Sequence, residues 1–182
     1  MKVKKLTKGL VIAIGLSAVL LGITAYAVGT EPANLGMVAY AATAQATPPP
    51  VAVVPLAPVG HFQEIHTKAQ SHDWMAQIQT KGVSDVHVVE VTIQPGKALS
   101  WHSHLGPSFV IVKSGNATVY EGDDPTCRPQ VIPAGSSLFE PGGDVHINRN
   151  EGSEPLVLVV IQLLPAGAPR LIPEPSPGNC PF

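Results

Sequence analysis

The stretch Gly96-Lys97-Ala98-Leu99-Ser100-Trp101-His102-Ser103-His104-Leu105-Gly106-Pro107-Ser108-Phe109-Val110-Ile111-Val112-Lys113-Ser114-Gly115 decides how this chain folds. Pro95-Gly96 and Ser114-Gly115-Asn116 bracket it with turn residues. In extended backbone, alternate side chains point the same way, so His102 and His104 share one face of a β-ribbon. A second stretch, Gly135 to Asn150, holds His146. If the chain folds back between the two, three neutral imidazoles converge, and that is a donor set for a first-row metal.

The surrounding sequence reads as strands. Val86-His87-Val88-Val89-Glu90-Val91-Thr92-Ile93 is rich in β-branched residues, with Val89, Val91 and Ile93 on one face. Ser108–Lys113 resumes the strand after the break at Leu105-Gly106-Pro107, and Ala117–Tyr120 follows the turn at Gly115. Val131–Ile132, Ser137–Phe139 and His146–Asn150 are short strands separated by Pro133-Ala134-Gly135 and Pro141-Gly142-Gly143. Leu156–Leu164 is almost wholly apolar and reads as a strand buried on both faces. Short strands with Gly/Pro punctuation and no helical period predict an all-β barrel or double-sheet jelly roll. Gly96, Gly115, Gly135 and Gly143 fall at turns where positive φ is expected, and Asn150 is expected to cap backbone rather than to react.

The two stretches resemble the paired motifs of the cupin superfamily, G-x5-H-x-H-x3,4-E-x6-G and G-x5-P-x-G-x2-H-x3-N. Four of the five fixed positions of the first and all five of the second are present, over roughly Val86 to Leu164. Ser108 stands where the family usually carries a metal-binding glutamate. The resemblance implies a double-stranded β-helix, a jelly-roll barrel, that pairs into a homodimer. It also implies a single divalent transition metal (Fe, Zn, Mn, Ni or Cu) on His102, His104 and His146. A neutral hydroxyl is a poor ligand, so the expected site is three-His, with more positive charge than one that includes a carboxylate. That charge acidifies bound water and favours anionic substrates. Ser108, Tyr120 and Asn148 are the expected inward-facing residues near the metal or substrate. Glu140 and Asp144 flank the turn Pro141-Gly142-Gly143 and are expected to face solvent rather than to supply a fourth ligand.

The N-terminus carries Lys2, Lys4, Lys5 and Lys8, then no charge from Gly9 to Thr30. Residues 1–27 are expected to be a signal peptide cut after Ala25-Tyr26-Ala27, or a membrane anchor, since Gly9–Val28 is long enough to span. Either way the remainder is expected to be exported: periplasmic, cell-surface or secreted. All thirteen acidic residues lie beyond Ala27, where only seven Lys/Arg remain, a net charge of −6. No basic patch is present, so nucleic acid is not expected as a partner. Residues 28–58, with Pro48-Pro49-Pro50, Pro55 and Pro58, are expected to be an extended linker, 59–168 the barrel, and 169–182 an irregular proline-rich tail.

Between linker and barrel, Asp73–Ile78 has weak helical character, within a segment expected to pack on the barrel or on a second subunit. His61, His66 and His72 are spaced by five and six residues, which puts no pair on one face, so they are expected at the surface. Cys127 and Cys180 are the only cysteines. An oxidising compartment permits them to pair, but sequence does not fix their separation, and two free thiols remain the alternative. Two functions follow from these expectations. One is an exported metal-dependent enzyme, dioxygenase-like, acting on a small anionic molecule. The other is a non-catalytic cupin that binds or senses a small ligand or metal.

Overall fold

The computed structural model describes residues 47–182, so the expected signal or anchor segment and the linker up to Ala46 lie outside the described residues. Thirteen strands and no helix are found among the described residues. In chain order they are β1 (Val51–Pro55), β2 (Gly60–Phe62), β3 (His66–Ser71), β4 (Trp74–Gln79), β5 (Ser84–Ile93), β6 (His102–Ser103) and β7 (Ser108–Ser114). They continue as β8 (Asn116–Glu121), β9 (Gln130–Pro133), β10 (Ser137–Glu140), β11 (His146–Arg149), β12 (Leu156–Pro165) and β13 (Ile172–Pro173). One sheet runs β1-β5-β12-β7-β10, with β2 also on β5; the other runs β13-β6-β11-β8-β9. Every pairing is antiparallel. This is the all-β double-sheet barrel that the strand pattern predicts.

Alternation on the long strands places the core. Val89, Val91 and Ile93 of β5, Val110 and Val112 of β7, and Leu156, Leu158 and Val160 of β12 pack together with Ala117 of β8. Fully burying each such side chain contributes roughly 1.5–3 kcal/mol. β12 is buried on one face and half-buried on the other, rather than buried on both, because it lies in the middle of a sheet whose outer face is partly open. Gly115 turns β7 into β8 at φ 75°, and a Cβ there would lie 3.0 Å from the Leu156 backbone, so the turn admits no side chain. Asn150 fastens the end of β11: its Nδ2 donates to the carbonyls of Ile93 and Glu154, and its Oδ1 accepts from Gly152 N.

Three boundaries differ from expectation. The expected linker ends in a strand: Val51–Pro55 pairs residue by residue with Val89–Ile93. Its β-branched residues suit the sheet, and Pro55 is tolerated because β1 is an edge strand. Asp73–Ile78 is not helical: β3 and β4 form a hairpin of six pairs about the turn His72-Asp73, and that ladder overrides a weak local preference. The tail is not irregular throughout. Ile172–Pro173 pairs with β6, Ser103 Oγ donates to Glu174 Oε1, and Cys127 and Cys180 form a disulfide with their Cα atoms 5.2 Å apart. The barrel therefore extends beyond 59–168 at both ends.

Candidate metal centre

The centre sits between facing rungs of the two sheets. In the second sheet His102 of β6 lies directly opposite His146 of β11. In the first, Ser108 of β7 lies between Gln162 of β12 and Glu140 of β10. His104 follows β6 in the loop that leads to Gly106. All of these side chains are buried. The ring centroids of His102 and His146 are 4.5 Å apart, those of His104 and His146 5.2 Å, and those of His102 and His104 6.4 Å. The fold thus brings together the three histidines that the spacing singles out.

Each imidazole has its tautomer set by the backbone. Nδ1 of His102 lies 2.8 Å from Ser100 O, Nδ1 of His104 2.6 Å from Gly106 O, and Nδ1 of His146 3.1 Å from Asp144 O. A carbonyl only accepts, so each Nδ1 carries the proton, and Nε2 is the atom left to bind a metal. This follows directly from local chain geometry, since each carbonyl is two residues from its histidine.

Glu140 corrects the expectation that this side chain faces solvent. It is the last residue of β10, where alternation turns it inward; its Oε2 lies 3.4 Å from His104 Nε2 and its Oε1 3.4 Å from His146 Nε2. Ligand atoms of His104, Glu140 and His146 all lie within 4.8 Å of one another, a group that does not include His102. A carboxylate therefore does occupy the space that Ser108 leaves, reaching in from the cross-strand neighbour of Ser108. Asp144, the other flanking acid, is exposed as expected.

The predicted neighbours divide. Ser108 Oγ lies 3.3 Å from His104 Nε2 and accepts from Gln162 Nε2 at 3.1 Å. Asn148 Nδ2 donates to Glu140 Oε1 at 3.0 Å. Tyr120 is not at the site: it pairs with Ile147, packs with Trp101, Ile147 and Cys180 on the opposite face, and donates its hydroxyl to Glu151. On β8 the inward residues have odd numbers, and four consecutive buried residues hide that parity from the sequence. Gln162, which nothing in the sequence marks except a polar residue in an apolar strand, completes the set; its Oε1 accepts from Arg170 Nε.

Burial first, and then the charge of His146, push His102 down to about 4. Burial likewise lowers His146, with Glu140 opposing. Burial also disfavours the cation on His104, but the hydrogen bonds to the Glu140 carboxylate and the Gly106 carbonyl outweigh it and raise this group. Burial disfavours the Glu140 anion, yet His104, His146 and Asn148 together hold its pKa below the ordinary value. The site thus combines an anion with imidazoles of which two resist protonation. Two buried atoms here make no hydrogen bond: His146 Nε2, which has only the Glu140 carboxylate 3.4 Å away, and Asn148 Oδ1. A divalent cation satisfies the first, and a water or ligand donor the second, so the residues present fit a metal.

Residues 89–162 match the family model described as Cupin domain. Among solved structures, a protein of Thermus thermophilus is 27% identical over 44% of this chain and 72% of its own, with a TM-score of 0.38. A conserved protein with a double-stranded β-helix domain from Klebsiella pneumoniae is 23% identical over 62% of this chain and 81% of its own, TM-score 0.41. A cupin superfamily protein from Desulfitobacterium hafniense is 15% identical over 59% and 78%, TM-score 0.38. No curated protein matches the chain. The sheet order, the two motifs and the family match agree: residues 89–162 are a cupin domain.

Proposed function

We propose that the domain binds one divalent first-row metal through Nε2 of His102, His104 and His146 with Glu140 as carboxylate ligand, and that it is a metal-dependent enzyme acting on a small molecule by dioxygenase-like chemistry. The observation that carries this reading is the buried cluster itself: three Nδ1 atoms held by carbonyls, with a carboxylate among the freed Nε2 atoms. When bound, such a metal supplies Lewis acidity to water or to a substrate oxygen. Glu140 balances one of its charges, which weakens the bias toward anions expected of a three-His site. Ser108 and Gln162 fix the His104 side of the cluster, and Asn148 orients Glu140 while offering Oδ1 to a donor. Oxygen uptake by metal-loaded protein, with a panel of small thiols and diketones, tests the catalytic reading; turnover with none of them counts against it.

The second reading, a cupin that binds or senses a small ligand or metal without turnover, is favoured by the size of the cavity. The space bounded by His102, Glu140, Asn148 and Gln162 is about 30 Å³, room for a metal and a water or a very small ligand. For location, we propose export, which the N-terminal charge pattern and the Cys127–Cys180 bond both support. A homodimer is proposed from the exposed outer face of the first sheet. There Phe109 and Phe139 stand side by side, ring centroids 5.2 Å apart, next to Ile111. The adjoining cleft, about 450 Å³, is also lined by Ile78 of the β3–β4 hairpin.

A further inference from the structure

The tail after β12 crosses the open side of the metal cavity. Of the residues that bound this cavity, Val53, Leu99, Arg170 and Leu171 are partly exposed and the others are buried. Those four therefore stand between the cavity and solvent. Val53 lies in β1 and Leu99 packs against the core, whereas Arg170 and Leu171 belong to a segment with few holds of its own. β13, which follows them, has only two residues, paired with Ser103 and His102. Otherwise the segment is held by Gln162 at Arg170, by Glu174 N donating to Trp101 O, and by Ser103 Oγ donating to Glu174 Oε1. A short, partly exposed segment of this kind belongs to the low-stability end of a fold.

Its far end is fixed more firmly. Cys180 is bonded to Cys127, and Asn179 Nδ2 donates to the carbonyls of Glu121 and Asp124. Cys180 also packs against Trp101, the residue before His102. The segment is thus tied at both ends, by β12 and by the bond, and can lift only as a closed loop; with the bond broken, one end is free. Cys127 has a φ of 48°, the one positive φ of a non-glycine among the described residues. Left-handed backbone at such a residue persists only where its surroundings hold it, and the bond to Cys180 is such a hold. Cys127 is also partly exposed, whereas Cys180 is buried.

We infer that residues 170–173 form a strap across the metal cavity and that the Cys127–Cys180 bond is its lock, opened by a dithiol reductant. A thiolate of the reductant attacks Cys127 Sγ, and the S–S bond breaks with its electron pair on Cys180 Sγ; the reductant's second thiolate then displaces Cys127. Two electrons and two protons pass to the protein, which ends with two thiols, while the reductant ends as a disulfide. With the strap lifted, the cavity of about 30 Å³ opens to solvent beside His102. The inference rests on the proposed metal reading only for what passes the strap.

The test compares full-length protein as purified, the same protein reduced with dithiothreitol that is removed under argon before zinc is added, and the Cys127→Ser/Cys180→Ser variant. One readout is the rate at which a chelating dye withdraws zinc. The other is acrylamide quenching of Trp101, 6% exposed, in a Trp74→Phe background. Breaking the lock is expected to speed zinc withdrawal about tenfold or more and to raise quenching, with the β-sheet circular dichroism retained and the slow rate restored on reoxidation. Equal withdrawal rates in all three samples overturn the strap, even if quenching rises, because the tail then opens without uncovering the cavity. Loss of the sheet spectrum on reduction overturns the lock, because the bond then staples the whole barrel. If no sample holds zinc, the metal reading fails by itself, and quenching still decides whether the bond locks the tail.

Discussion

At the scale of single residues, the donors divide by how they reach the site. His102 and His104 are legible in the sequence because a period of two is enough to put them on one face, and His146 because its motif fixes its spacing. Glu140 is not legible as a ligand, because its placement depends on the register of β10 against β7, which no local pattern reveals. Tyr120 departs from expectation for the reason of strand parity. Glu140→Gln is therefore expected to weaken metal affinity by at least about tenfold, read by competition with a chelating dye, whereas Tyr120→Phe leaves it unchanged. Acidity should act through the same residues. A histidine depressed to about 4 stays neutral when folded, so as pH falls below its ordinary 6.5 the unfolded chain takes the proton first and stability is lost down to about 4. For His102 this amounts to about 3 kcal/mol. His146, also lowered, acts in the same direction. Glu140, also lowered, gives stability above its ordinary value that is lost as pH falls through its folded one. Only His104, raised, works the other way. Metal-free protein should thus be less stable to urea at pH 4 than at pH 7, and a flat profile would contradict these environments.

Among elements, the central strands are readable and the peripheral ones are not. β5, β7 and β12 announce themselves by β-branched alternation, and their burial follows it. β1 is masked by neighbouring prolines, β4 by residues that tolerate a helix, and β13 by having only two residues. All three are strands because a partner is there to pair with, which is tertiary information. Leu158→Ala, in the middle of β12 and 1% exposed, is expected to cost about 2–5 kcal/mol in chemical denaturation. Gly106→Ala tests the loop after β6. Its Cβ would meet the carbonyl of Leu163, and its own carbonyl accepts from His104, so the variant should lose metal affinity as well as stability. Loss of stability with metal affinity intact would mean that the carbonyl does not set the imidazole.

For the whole molecule, the cysteines show what sequence leaves open: two residues 53 apart admit a bond, and only the fold brings them together. The bond ties the tail to the loop Asp124–Arg128, where the Thr126 hydroxyl and amide and the Arg128 amide hold Asp124 down to about 2. Replacing both cysteines by serine should lower stability by roughly 4 kcal/mol in the chain-entropy view and make the tail the first site of proteolysis. Two free thiols in the unreduced, denatured wild type would contradict the bond. The apolar face around Phe109 and Phe139 predicts a dimer at micromolar concentration by sedimentation, and a monomer would remove that interpretation of the patch. The central claim, a metal held by imidazoles converging inside the barrel, has a more direct test. It is the metal content of untagged protein purified without chelator, measured by mass spectrometry beside the variant in which His102, His104 and His146 are all alanine. The account predicts close to one divalent metal per chain in the first and almost none in the second; full metal retained in the second would place the site elsewhere.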